Sequence, residues 1–189
     1  MRNSIFYCLR MISQMNKEAN GFTIRREQMT RLDTFVDAAF AFAITMMVIS
    51  LDDIPKSPGA LFELSKDIPA FLSSGILIAI IWRRHSSWSR TFGLQNSFTV
   101  TLSICLVLLV LVFVYPIKLL FMGLFFWLSS GFLSPAFELQ SMTNLSWLFV
   151  YFAVGIFALA MIFLGFYHST LAQSNELELN DCEQHYVIY

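Results

Sequence analysis

The chain has 189 residues, of which 57% are hydrophobic and 13% charged, with 20 Phe and a formal net charge of -1 at pH 7. So large an apolar share exceeds what a water-soluble domain of this length buries, which places the chain among integral membrane proteins. A near-neutral balance, with the basic residues flanking apolar runs, excludes a nucleic-acid partner.

Residues 1–30 form an amino-terminal lead. Arg10 interrupts the short apolar run from Ile5 to Met11 and no small-residue cleavage site follows, so no secretory signal is expected. Residues 31–170 read as one transmembrane domain, and residues 171–189 as an acidic tail carrying Glu176, Glu178, Asp181 and Glu183. Crossing the hydrocarbon core takes roughly 20 apolar residues as helix, and the alternation of a membrane barrel is absent. The predicted fold is therefore all-α, a polytopic helical membrane protein.

The first span is expected from about Thr34 to Leu51. The second runs from about Pro69 to Trp82 and is closed by Arg83 and Arg84, which reach outward to the headgroups. A third fills the uncharged run between Arg90 and Lys118 and ends at Tyr115-Pro116, and a fourth extends from about Leu145 to Tyr167. Between the last two, Leu119 to Phe137 is apolar but interrupted by Gly123, Ser129, Ser130, Gly131 and Pro135. It reads as an interfacial or re-entrant segment, with a fifth full span as the alternative. Four transmembrane helices plus this segment are the expected architecture. Lys17, Arg25, Arg26 and Arg31 before the first span, and Arg83, Arg84 and Arg90 after the second, put both chain ends in the cytoplasm.

Catalytic constellations are missing. His85, His168 and His185 have no ligand-spaced partner, Cys8, Cys105 and Cys182 are widely separated, and no phosphate loop or nucleophile elbow occurs. The chain reads as a non-enzyme with no cofactor and no metal site.

Within the first span, Phe42, Met46, Ile49 and Asp53 follow a 4, 3, 4 rhythm and share one stripe of the helix, with Thr45 alongside. An apolar stripe is ordinarily packing surface; with an acidic residue at its outer end it also fits a hydrophobic constriction that gates a pore. Ala39 and Ala43 form a small-xxx-small pair on a neighbouring face, where another helix can approach closely. Asp33 and Asp37 lie one turn apart and need partners, for which Arg83, Arg84 and His85 arrive at the same membrane face.

Arg31, Phe35 and Asp37 fit the R-x-x-x-F-S-D signature that opens the first helix of the lysosomal potassium channel family (transmembrane protein 175 type) and its prokaryotic branch. The continuation AAFAFAITMMVISLDD resembles that helix, and Trp82 and His85 resemble the family's Trp-x-x-His turn. The likeness covers about residues 28–170. It implies a potassium-permeable channel of the cell membrane with potassium as the permeant ion, a homotetramer in the lipid bilayer whose first helices line the pore. On this resemblance the constriction is Phe42, Met46 and Ile49, and Thr45 and Asp53 are pore-lining polar residues. Arg31, Phe35, Asp37, Trp82, Arg83 and His85 form the motif and its polar cluster. No TVGYG-like filter occurs, so selectivity falls to the apolar neck and the Thr hydroxyls. Val36 stands where the signature has Ser, and Phe42 is bulkier than the usual Ile or Leu. Prokaryotic members have six spans, so the chain reads as shortened at its carboxyl end. A non-conducting protein of the same fold, an assembly partner or remnant, is the alternative reading.

Overall fold

The computed structural model describes residues 29–49, 56–133 and 142–173, and every regular element among them is helical. In chain order these are α1 (Arg31–Ile49), α2 (Pro58–Ser65), α3 (Ile68–Phe92), α4 (Ser97–Leu128) and α5 (Met142–Ala172).

The helix starts are written locally. At α1, Thr30 and Asp33 cap each other: Asp33 N donates to Thr30 Oγ1 at 3.2 Å, and Thr30 N donates back to Asp33 Oδ2 at 2.9 Å. This is a capping box with Asp in the place of the usual Glu. Ser57 Oγ accepts from Ala60 N at 3.1 Å ahead of the Pro at the first position of α2. Asn96 Oδ1 accepts from Thr99 N at 2.8 Å at the start of α4. Helix α3 ends at Gly93, whose φ of 64° is the left-handed conformation that closes a helix, with its N–H on Ser89 O at 2.9 Å.

Packing is centred on α4, which touches α1, α3 and α5, while α1 also packs on α3. The core combines Val36, Phe40, Ala43 and Met47 of α1, Ile78, Ile81 and Trp88 of α3, Leu106, Val107, Val110 and Val114 of α4, and Phe166 of α5. Ala43 is fully buried and Ala39 half-buried, so the small pair turns into the bundle of its own chain. The outer face of α5 is open and apolar, with Trp147, Phe149, Phe157 and Leu164 exposed, the composition of a surface that meets lipid or further helices.

Three expected boundaries are corrected. Helix α3 does not stop at Trp82 but runs through Arg83 and Arg84 to Phe92, 25 residues in all, because long guanidinium stems extend outward without breaking the backbone ladder. Pro116 lies inside α4 rather than at its end. The missing N–H costs one ladder bond, and a long helix held by three neighbours tolerates it. Residues 119–128 are consequently the continuation of α4, followed by a turn through residues 129–131, and not a separate interfacial segment. At 32 residues and ~1.5 Å per residue, α4 is longer than the ~30 Å core requires.

Of the four expected spans, two to three are borne out among the described residues. Among the described residues α4 and Ser146–Ala172 of α5 are each long and apolar enough to cross a membrane, and α2 with α3, bent by 42°, makes a third if the pair is one broken span. Helix α1 has 19 residues, and its first two turns are occupied by Arg31, Asp33 and Asp37. Residues 50–55, with Asp53, and most of the acidic tail lie outside the described residues.

Candidate functional site

Helix α1 has two unlike faces. Val36, Phe40, Ala43 and Met47 recur at 4, 3, 4 spacing and are buried to within 3% of full burial. Phe35, Ala38, Ala41, Phe42, Thr45 and Val48 are exposed on the other side. Phe42 is thus on the open face, 54% exposed, whereas Met46 is half-buried against the core. The side chain of Ile49 and the whole of Asp53 lie outside the described residues. At 100° per residue the middle of the open face falls near Ala38 and Thr45, with Phe42 and Met46 toward one edge. Thr45 Oγ1 donates to its own helix at Phe42 O, 2.7 Å away. Its proton is therefore held by the backbone, and the oxygen presents lone pairs away from the helix.

The polar belt lies at the start of α1. Asp37 Oδ1 accepts from Trp82 Nε1 at 2.6 Å, and Asp33 Oδ1 accepts from Ser89 Oγ at 2.6 Å. Two hydrogen bonds thereby clamp the two turns of α1 that precede its apolar part onto antiparallel turns of α3. One turn along, His85 Nε2 meets Ser103 Oγ of α4 at 3.1 Å. Because the Ser103 hydroxyl donates to Thr99 O at 2.9 Å, its oxygen is left to accept, which assigns the imidazole proton to Nε2. Trp88 Nε1 reaches Thr170 Oγ1 of α5 at 3.0 Å, and its ring packs on Phe166 at 4.5 Å between centroids. Asn96 Nδ2 approaches Ser169 Oγ at 3.5 Å. One end of the bundle is thus tied across α1, α3, α4 and α5 by side-chain hydrogen bonds.

Of the residues singled out from sequence, Asp37, Trp82 and His85 sit in this belt. Arg31, Phe35 and Arg83 are exposed. The donors that meet the carboxylates on α3 are an indole and a hydroxyl, and Arg84 is on the exposed side of α3. Val36, at the signature's Ser position, is fully buried and apolar in its contacts. Sequence reasoning missed Ser89, Trp88, Ser103 and Thr170. A signal for Ser89 existed, since Trp82, His85 and Ser89 stand at 3, 4 spacing on one face of α3. Among the described residues no group of three His, Cys, Asp or Glu gathers as a metal site would require.

The family described as endosomal/lysosomal potassium channel TMEM175 matches residues 31–116, from the first residue of α1 to Pro116 of α4. A protein named potassium channel from Marivirga tractuosa is 34% identical over 169 residues, covering 86% of this chain and 67% of that protein. Among solved structures, a variant of the potassium channel MtTMEM175 crystallised with a nanobody–MBP fusion superposes with a TM-score of 0.81 at 31% identity, over 90% of this chain and 75% of that one. The family is one of membrane channels and not of enzymes. This chain belongs to the TMEM175 family of potassium channels.

Proposed function

We propose that the chain is one subunit of a homotetrameric, potassium-permeable pore in the cell membrane, with both chain ends cytoplasmic, lined by the open face of α1 and using no cofactor. The observation that carries this reading is the division of α1: one stripe is sealed in the subunit core, and the other, holding Phe35, Ala38, Phe42 and Thr45, is left uncovered by its own chain. An apolar open face in a membrane meets lipid, another helix or a lumen, and the Thr45 hydroxyl on this one favours a lumen. Four such faces around an axis give an apolar neck at Phe42, with Met46 and Ile49 on the same side, and a ring of Thr45 hydroxyl oxygens beside it. An ion passing there sheds water against apolar walls, which favours potassium over the more tightly hydrated sodium, and the Thr oxygens return part of the lost coordination. Asp53 supplies a cation-attracting outer mouth in this arrangement. The belt around Asp37 and Trp82 sets the tilt of α1 and so the width of the neck.

A bulky Phe at the neck favours a second reading, a narrow or sealed member of the same fold. Rubidium flux into proteoliposomes tests both. Flux in the native chain supports a conducting neck, and flux only in Phe42→Ala supports a sealed one. Absence of flux in both, with the tetramer intact, overturns the pore.

A further inference from the structure

Helix α3 turns one face outward along its whole length. Leu72, Ile76, Ile80, Arg83, Ser87 and Arg90 follow a 4, 4, 3, 4, 3 rhythm, share one side of the helix and are all exposed. The buried residues of α3, among them Ile78, His85 and Trp88, occupy the opposite side. The outward stripe changes chemistry along its length. Its first part is aliphatic, and its last part carries two guanidinium groups about 10 Å apart along the axis, at ~1.5 Å per residue. From Arg83 back to Leu72 the same rise gives about 16 Å, which matches the ~15 Å of hydrocarbon in one leaflet of a ~30 Å core.

Charge decides what meets this face. Among the described residues the carboxylates are those of Asp33, Asp37, Glu63 and Asp67. Asp33 and Asp37 accept from Ser89 and Trp82, and Glu63 pairs with Lys66 at 2.7 Å. Glu63 and Asp67 stand at the other end of α3, and copies of the chain in one membrane share one orientation, so neither reaches the arginines of a neighbour. The described parts of a second copy therefore supply no counter-charge for Arg83 and Arg90.

We infer that the outward face of α3 is a binding site for an anionic phospholipid. Arg83 holds the phosphodiester, Arg90 the outer part of the headgroup, and the acyl chains lie along Ile80, Ile76 and Leu72. A guanidinium forks onto two phosphate oxygens, and the Ser87 hydroxyl between the two arginines adds a further donor. A headgroup of net negative charge suits both arginines, whereas a zwitterionic one brings its own cation toward the second. Arg83 and Arg90 directly follow Trp82 and Ser89 in the chain, so the lipid grips the same two turns of α3 to which α1 is tied.

The test reads binding and needs no conduction. The full chain is placed in phosphatidylcholine nanodiscs with a small share of phospholipid bearing a diazirine in its acyl chain, irradiated, and its adducts mapped by mass spectrometry. Labelling between Leu72 and Ile80 is expected to be about thirtyfold stronger from the phosphatidylglycerol form than from the phosphatidylcholine form, each basic residue at the surface contributing about fivefold. Arg83→Gln and Arg90→Gln are each expected to lose about fivefold, and the double variant the whole preference. Lys56→Gln, which removes a positive charge at the other end of α3, is expected to lose none. Should the double variant fail to fold, the two single variants decide, and Arg83→Lys with Arg90→Lys should keep most of the preference. Equal labelling by both headgroups, a preference unchanged in the Gln variants, or no labelling of this segment, as a covering subunit would give, would overturn the site.

Discussion

Trp82 and Asp37 are held together by an indole N–H to carboxylate hydrogen bond of 2.6 Å that spans 45 residues of sequence. It joins α1 to α3, and Asp33 with Ser89 repeats the tie two turns along α3. Bonds to a charged acceptor are the stronger kind, about 1.5–3 kcal/mol where buried; this one is partly exposed, so about 1 kcal/mol is expected. Trp82→Phe is therefore predicted to lower unfolding free energy by about 1 kcal/mol beyond its packing loss. A double-mutant cycle with Asp37→Ala in mild-to-harsh detergent unfolding measures it, and a coupling near zero would reject the tie.

At Gly155 of α5 the Phe113 ring of α4 lies against the helix backbone. A Cβ there would lie 2.1, 2.4 and 2.8 Å from atoms of the Phe113 ring, and that ring is itself stacked on Tyr151 at 5.0 Å. Stacking on Tyr151 limits where the ring can move, so Gly155→Ala is expected to destabilise by about 1–3 kcal/mol through overpacking. Gly165 faces Leu102, whose nearest atoms are the ends of a flexible side chain at 2.9 and 3.2 Å, so Gly165→Ala is expected to cost less. Thermal unfolding of the two variants checks the order, and Phe113→Leu should restore most of the stability lost in Gly155→Ala.

Ser103 is buried and accepts from His85 while donating to Thr99 O. Ser103→Ala leaves the imidazole N–H without that partner, a cost of about 1–3 kcal/mol for a buried donor. The double variant Ser103→Ala, His85→Leu removes both polar groups, and its loss should be smaller than the sum of the two single losses. Additive losses in unfolding measurements would show that the two side chains are not coupled.

The helices were legible because apolar runs of membrane length have few other fates. Their ends were less so. Arg83 and Pro116 carry strong local signals for a boundary, yet a guanidinium snorkels from within a helix and a proline costs only one ladder bond, so α3 and α4 continue past both. Periodicity likewise revealed that α1 has stripes without saying which is covered. The buried set is Val36, Phe40, Ala43 and Met47, and Met46, assigned to the open stripe, leans on the core. Asp37 and Trp82 were readable as a motif, but their pairing is tertiary. Ser103 and Thr170 were hidden because a hydroxyl in an apolar helix satisfies itself on the carbonyl one turn back, as both do, whereas Ser89 gives its proton to Asp33, a pairing that is tertiary.

Thr45 separates packing from permeation more cleanly than any other position on α1. It is exposed within its own chain, and its hydroxyl proton is engaged by Phe42 O at 2.7 Å. Thr45→Val keeps the shape and the branched Cβ, removes the outward oxygen, and leaves no buried polar group unpaired. Stability is therefore expected to change by less than about 0.5 kcal/mol, as for surface substitutions generally. If four Thr45 oxygens line the neck, each dehydrated ion loses that coordination, and rubidium flux in proteoliposomes should fall by about tenfold, the effect of a barrier raised by about 1.4 kcal/mol. Sodium and potassium flux ratios should move with it, because the apolar neck alone then discriminates. An unchanged flux and an unchanged ratio, with a native melting curve, would mean that the open face of α1 does not meet the ion and is covered instead by lipid or another subunit.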